Sequence, residues 1–268
     1  MNRKICKNLL LLLVIINIAG ILTAQNKRDV PYTNELITFI NAYFNHEITD
    51  KELLEDLFIK SIDSSKELDS EYKKLVHQGR CIYFYGLQLM VDYDISEISK
   101  TNLEDTSQAE DSNKKAAECF DAAIELAKKA LKINKGSDAY CLIANGISAN
   151  CTAKNTSYII NNGLKVCKYA RKAIKEDSSN GTALYLNSCQ NIYAPAPFCK
   201  INEGKEQMSL VFNSDNIHKE KFDNFYLMMG IGYASYRKKN FSEAKKWYEE
   251  CLKIYPQNIT VNKLMKKL

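Results

Sequence analysis

Four positions near the end of the chain, Ala244, Tyr248, Cys251 and Pro256, restrict the fold more than any other feature of the sequence. They stand at offsets 0, 4, 7 and 12 within "FSEAKKWYEECLKIYPQN". On an α-helix, residues four and seven apart share one face, so the first three form a stripe with a large side chain between two small ones. Small side chains let a neighbouring helix come close, and Pro256 stops the helix where the chain must turn. Just upstream, "YLMMGIGYASYRKKN" supplies a second amphipathic helix with Gly232 as a place for backbone contact, then a polar turn at Lys238, Lys239 and Asn240. The pair predicts an antiparallel helical hairpin.

The stripe recurs upstream. Ala123, Ala127 and Ala130 repeat offsets 0, 4 and 7, with Gly136 near the expected stop; Val166, Ala170 and Ala173 repeat them again. A weaker case runs through Gln207, Val211 and Ser214. Taking Ala130, Ala173, Ser214 and Cys251 as equivalent, the separations are 43, 41 and 37 residues. Between these stripes, "SDAYCLIANGISANC" and "GTALYLNSCQNIY" read as partner helices. With only four prolines and ten glycines in 268 residues, an all-β fold has little to stand on. The expectation is an all-α solenoid of antiparallel helical hairpins over residues 112–268.

These residues resemble the tetratricopeptide repeat (TPR), whose small, aromatic, small and proline positions are matched by Ala244, Tyr248, Cys251 and Pro256, and whose glycine is matched by Gly232. Ser235 stands where an aromatic is usual and Lys239 where glycine is usual. The repeat interval also exceeds the standard unit of about 34 residues. The order of helix, Tyr-Ala-Pro-Ala-Pro loop, Gly-Lys and helix is similar to the divergent repeats of the periplasmic T component of TRAP transporters, over about residues 112–258. The resemblance implies a TPR-like concave face made by first helices and a non-enzymatic protein or peptide partner. Helical position makes Asn145, Tyr185, Tyr193, Tyr233, Tyr236 and Arg237 candidates to line that face, with tyrosine and arginine suited to broad contact. The alternative is that about half of these tyrosines complete the core, with hydroxyls reaching water at its margin. The transporter likeness implies a second reading, an accessory subunit working with a solute-binding protein.

Arg3, Lys4 and Lys7 precede the apolar run "NLLLLLVIINIAGILTAQ", which predicts a signal peptide over residues 1–24 and an exported, periplasmic or secreted protein. A retained membrane anchor is the competing reading. Cys6 precedes the apolar core, which argues against a lipoprotein signal. The stretch holds three basic and no acidic residues, so its loss lowers the formal charge from +5 to +2. That balance lacks the footprint of a nucleic-acid binder, and no membrane insertion is expected after cleavage. Residues 25–111 read as a less regular N-terminal region: helices in "TNELITFINAYFN" and "DKELLEDLFIKSIDSSKEL", the second capped by Thr49 or Asp50, then a long helix in "SEYKKLVHQGRCIYFYGLQLMVDYD". The acidic, Ser/Thr-rich interval at residues 96–113 reads as a mobile loop between two helices of one hairpin.

No phosphate-binding loop, GxSxG elbow or HExxH motif is present, and the three histidines His46, His77 and His218 are isolated, so no enzyme activity, cofactor or metal is expected. Eight cysteines follow the signal, widely spaced in helical sequence, and read mainly as small packing residues. A Cys141–Cys151 or Cys189–Cys199 bridge stays open. Five Asn-x-Ser/Thr sequons, at Asn150, Asn155, Asn180, Asn240 and Asn258, are attributed to the abundance of asparagine.

Overall fold

A computed structural model describes residues 28–90, 107–194 and 197–268. The expected signal at residues 1–24 and most of the acidic interval lie outside the described residues. Among those described are 11 α-helices: α1 Asn34–Phe44, α2 Lys51–Asp63, α3 Glu71–Leu89, α4 Ser107–Ile133, α5 Ser137–Ala153, α6 Thr156–Glu176, α7 Gly181–Tyr193, α8 Ile201–Asn213, α9 Lys221–Arg237, α10 Phe241–Ile254 and α11 Ile259–Met265. No described segment forms a strand. Helix α4 begins at Ser107, inside the interval expected to be loop, and packs along α3 to complete the anticipated hairpin.

Four hairpins, α3/α4, α5/α6, α7/α8 and α9/α10, follow one another, and each second helix packs on the first helix of the next. The first helices α3, α5, α7 and α9 also pack on one another in sequence, so they form an inner layer against an outer layer of α4, α6, α8 and α10. The architecture is an all-α, TPR-like helical solenoid. The stripes explain it: Ala123, Ala127, Ala130, Ala170, Ala173, Ala244, Tyr248 and Cys251 are all fully buried. A side chain added at Gly232 would place its Cβ 2.6 Å from the Tyr248 ring, so the glycine is what lets α9 and α10 touch.

The third stripe is corrected. Helix α8 buries Gly204, Met208 and Val211 at offsets 0, 4 and 7, whereas Gln207 is half-buried and hydrogen-bonds Asn191, and Ser214 is the C-cap. Polar Gln207 cannot occupy the apolar seam without losing that partner. Taking Val211 as the equivalent point makes the later separations 38 and 40 residues, more even than those expected.

Asparagine abundance also has a local cause. Asn155, Asn180, Asn240 and Asn258 are the N-caps of α6, α7, α10 and α11, each accepting a hydrogen bond from a backbone amide three residues on. Asp50, not Thr49, caps α2. All eight described cysteines are free thiols. Burial pushes Cys81 up to about 12 and Cys151 to about 11, so both stay protonated at neutral pH.

The turn between α9 and α10 places Lys239 at φ 61°, in the left-handed region. A side chain there carries a steric cost that glycine lacks. Lys239→Gly is expected to raise stability by about 0.5–1 kcal/mol, read as a higher urea midpoint; a lower midpoint would contradict the strain.

Candidate interaction surface

The chain's own residues 28–33 run across the first helices, mostly at their N-terminal ends. Thr33 then caps α1 by accepting from the Leu36 amide. Arg28 reaches three inner helices at once. It pairs with Asp223 of α9, donates to Thr182 Oγ1 of α7 at 3.1 Å, and lies 3.4 Å from Asp138 Oδ1 of α5. Thr182 in turn donates to Asp223 Oδ1 at 2.6 Å. The fourth helix, α3, contributes Arg80, which donates to the Val30 carbonyl at 2.8 Å and pairs with Asp138 at 2.7 Å, and Tyr72, whose hydroxyl donates to Asp29 at 2.8 Å. The Val30 amide donates back to Asp138 Oδ2 at 2.9 Å. Tyr32 lies beneath both guanidiniums, with Arg80 4.1 Å from its ring centre and Arg28 5.4 Å.

Arg28, Arg80, Asp138 and Asp223 are almost wholly buried. Burial opposes the Asp138 anion, but Arg80 and then Arg28 outweigh it and hold its carboxyl well below the usual range. Burial likewise opposes the Arg28 cation, and Asp223, Tyr32 and Asp138 outweigh it, so Arg28 is raised. Asp29 moves the other way: burial, then the Asp138 charge, push its carboxyl up to about 7. One Asp29 oxygen is buried without a hydrogen-bond partner. With Asp29 protonated, two buried cations face two buried anions.

That balance has a pH signature. A carboxyl whose folded pKa is raised to about 7 contributes stability that is complete below about pH 4 and is lost as the pH climbs through about 7. Asp29→Asn stays neutral throughout, so its melting temperature relative to the parent should climb between about pH 4 and pH 7 and then level off. His77, lowered by burial, has the opposite slope but is common to both proteins and drops out of the difference. A flat difference would contradict a buried, protonated Asp29.

This cluster lines a small cavity of about 30 Å³, together with Asn145, Tyr185, Cys141 and Tyr226. It suits a water molecule, not an organic ligand. The remaining candidate residues form an aromatic seam between α7 and α9. Tyr185 stacks on Tyr226 with centroids 5.3 Å apart, Tyr193 on Tyr233 at 5.4 Å, and Tyr233 on Tyr236 at 6.3 Å. Tyr233 is buried, whereas Tyr185, Tyr193 and Tyr236 are half-buried. Arg237 donates to the carbonyls of Ile192 at 2.6 Å and Ala194 at 3.3 Å, fastening the end of α7. The structure thus brings Tyr193, Tyr233, Tyr236 and Arg237 together and sets Asn145 and Tyr185 on the cavity wall.

Arg28, Arg80, Asp138, Thr182 and Asp223 were not anticipated. A signal existed: Asp138, Thr182 and Asp223 fall 44 and 41 residues apart, on the repeat interval, each in the first turn of an inner helix.

The order and packing of the helices define a helical-repeat protein. Residues 225–258, covering α9 from Phe225 onward, α10 and the turn after it, match the tetratricopeptide repeat family, which supports a protein-interaction scaffold. No curated protein and no solved structure matches the chain. Among the described residues, no helix is long and apolar enough to cross a membrane, and no group of three metal-ligating side chains converges.

Proposed function

We propose that this chain is an exported, non-enzymatic TPR-like scaffold that binds a protein or peptide partner on its inner face, at the seam of Tyr185, Tyr193, Tyr233 and Tyr236. The observation that carries the reading is that the first helices already hold a stretch of non-helical polypeptide. Residues 28–33 are engaged there through backbone hydrogen bonds, ion pairs and a ring under two guanidiniums. At the other end of the same helices, half-buried Tyr236 offers rigid apolar area in ring contact with exposed Phe241 at 5.7 Å, which suits recognition. Export rests on the basic and apolar pattern of residues 1–24, and N-terminal sequencing of the exported chain tests it.

A photo-crosslinking residue in place of Tyr236 is expected to give a discrete adduct in the exporting cell, and the same residue in place of exposed Lys246 on the outer layer is expected to give none. Adducts only from Lys246 would place the partner elsewhere. The transporter-accessory reading ranks second, because the family match over residues 225–258 is to the tetratricopeptide repeat and the transporter likeness rests only on the order of helices and loop. A stable oligomer in light scattering, together with a solute-binding protein as the crosslinked partner, would reverse that order.

A further inference from the structure

Helix α6 combines three features. The first is charge. Among the described residues some exposed lysines elsewhere, such as Lys129, Lys132, Lys245 and Lys246, also lack a carboxylate within 4 Å, but α6 gathers five such cations within eleven residues. On α6, Lys165, Lys168, Arg171, Lys172 and Lys175 are all exposed, and among the described residues none has a carboxylate partner. Arg171 donates to the Asn187 side chain at 3.3 Å, Lys165 to that of Asn162 at 2.8 Å, and Lys172 lies over the Tyr140 and Tyr169 rings. Like charges this dense repel one another unless something anionic arrives.

The second is exposed apolar surface. Ile160 is 75% exposed and Leu164 68%, one turn apart on the same helix. Leu164, Lys168, Arg171 and Lys175 follow at offsets 0, 4, 7 and 11, so the apolar pair continues directly into a cationic stripe. That stripe borders an open groove of about 550 Å³ whose far side includes Gln190 of α7.

The third is Gly163. At every other described glycine an added Cβ would come within 3.0 Å of a neighbouring atom, so close packing explains each. At Gly163 the nearest atom is 3.9 Å away. A glycine within a helix weakens it, and no contact inside the chain accounts for this one. It lies on the flank of the Ile160–Leu164 pair, where the lack of a side chain would let another backbone approach.

We infer that the α6 face is a second docking surface, which takes an acidic polypeptide segment of a partner protein bearing an apolar anchor. Charge complementarity selects the acidic segment, since the lining cations are unpaired. The cationic stripe runs about 16 Å along the helix, which suits about three helical turns of a partner polypeptide. Ile160 and Leu164 receive the anchor, Gly163 admits the backbone, and Lys168, Arg171 and Lys175 meet the carboxylates. The surface belongs to the outer layer and stands independently of whatever the inner face binds.

The test uses the full chain and a fluorescein-labelled 14-residue helical peptide carrying two leucines followed by three glutamates at helical spacing, read by anisotropy. Binding is expected to weaken at least tenfold in Lys168→Glu with Arg171→Glu, and at least fivefold in Gly163→Trp, which leaves charge untouched. A glutamate-only peptide should bind at least fivefold more weakly. Gly163→Ala, on an exposed helix, should raise the melting temperature, showing that the glycine is not kept for the fold. The inference is overturned if the parent does not bind the peptide, or if the charge reversal weakens binding but Gly163→Trp does not, since that is unspecific attraction. It is also overturned if phosphatidylglycerol vesicles sediment the parent and not the charge-reversed chain while the peptide fails to compete.

Discussion

Asp138→Ala is expected to destabilise the protein by about 3–5 kcal/mol, because it leaves two buried guanidiniums without their shared anion. Asp138 pairs with Arg80 and Arg28, accepts from the Val30 amide and accepts from the Asn180 side chain at 3.1 Å. Each of those donors is buried or nearly so. The loss should appear in urea denaturation as a lower midpoint, with the slope reporting how much surface is exposed. Asp138→Asn keeps the shape and removes the charge, so it should fall between the parent and alanine. A cost under about 1 kcal/mol for alanine would mean that the cluster is wet or that the chain's residues 28–33 dock without it.

The second large effect is at Tyr248, fully buried where α10 meets Gly232 of α9. Tyr248→Ala should cost about 3–5 kcal/mol, through lost apolar burial and the cavity left beside a glycine that cannot fill it. Tyr248→Phe should be neutral or slightly stabilising, because the Tyr248 hydroxyl is buried without a hydrogen-bond partner. The contrast separates ring packing from hydroxyl chemistry. Equal losses in both variants would show that the hydroxyl has a partner after all.

The repeat was legible because its cause is local: small residues at offsets 0, 4 and 7 mark the seam of a hairpin whatever follows. Ala130, Ala173 and Cys251 are each buried as that argument requires. Helix α8 was misregistered because Gln207, Val211 and Ser214 fit the spacing with poor chemistry, and only the neighbouring helix shows that Met208 fills the seam. The ionic cluster was harder to read. Arg28 and Asp223 are 195 residues apart, and nothing in the local pattern of residues 25–29 distinguishes a docking arginine from a polar tail. For the aromatic seam, spacing placed the tyrosines on first helices, but could not tell the buried Tyr233 from its half-buried neighbours, since that depends on how α7 and α9 cross.

One feature changes what kind of object the array is. Helix α1 touches the far end of the chain: Tyr255 donates to Asn41 at 3.0 Å, Asn258 donates to the Phe44 carbonyl, and the Phe44 and Tyr255 rings stack at 4.9 Å. A linear stack of repeats gains and loses stability unit by unit from its termini. Here the first described helix and the turn after α10 are buckled together, like a belt on its final notch, so neither end of the described array is free to fray. Shortening the chain at one end releases the other, and melting should proceed as a single event.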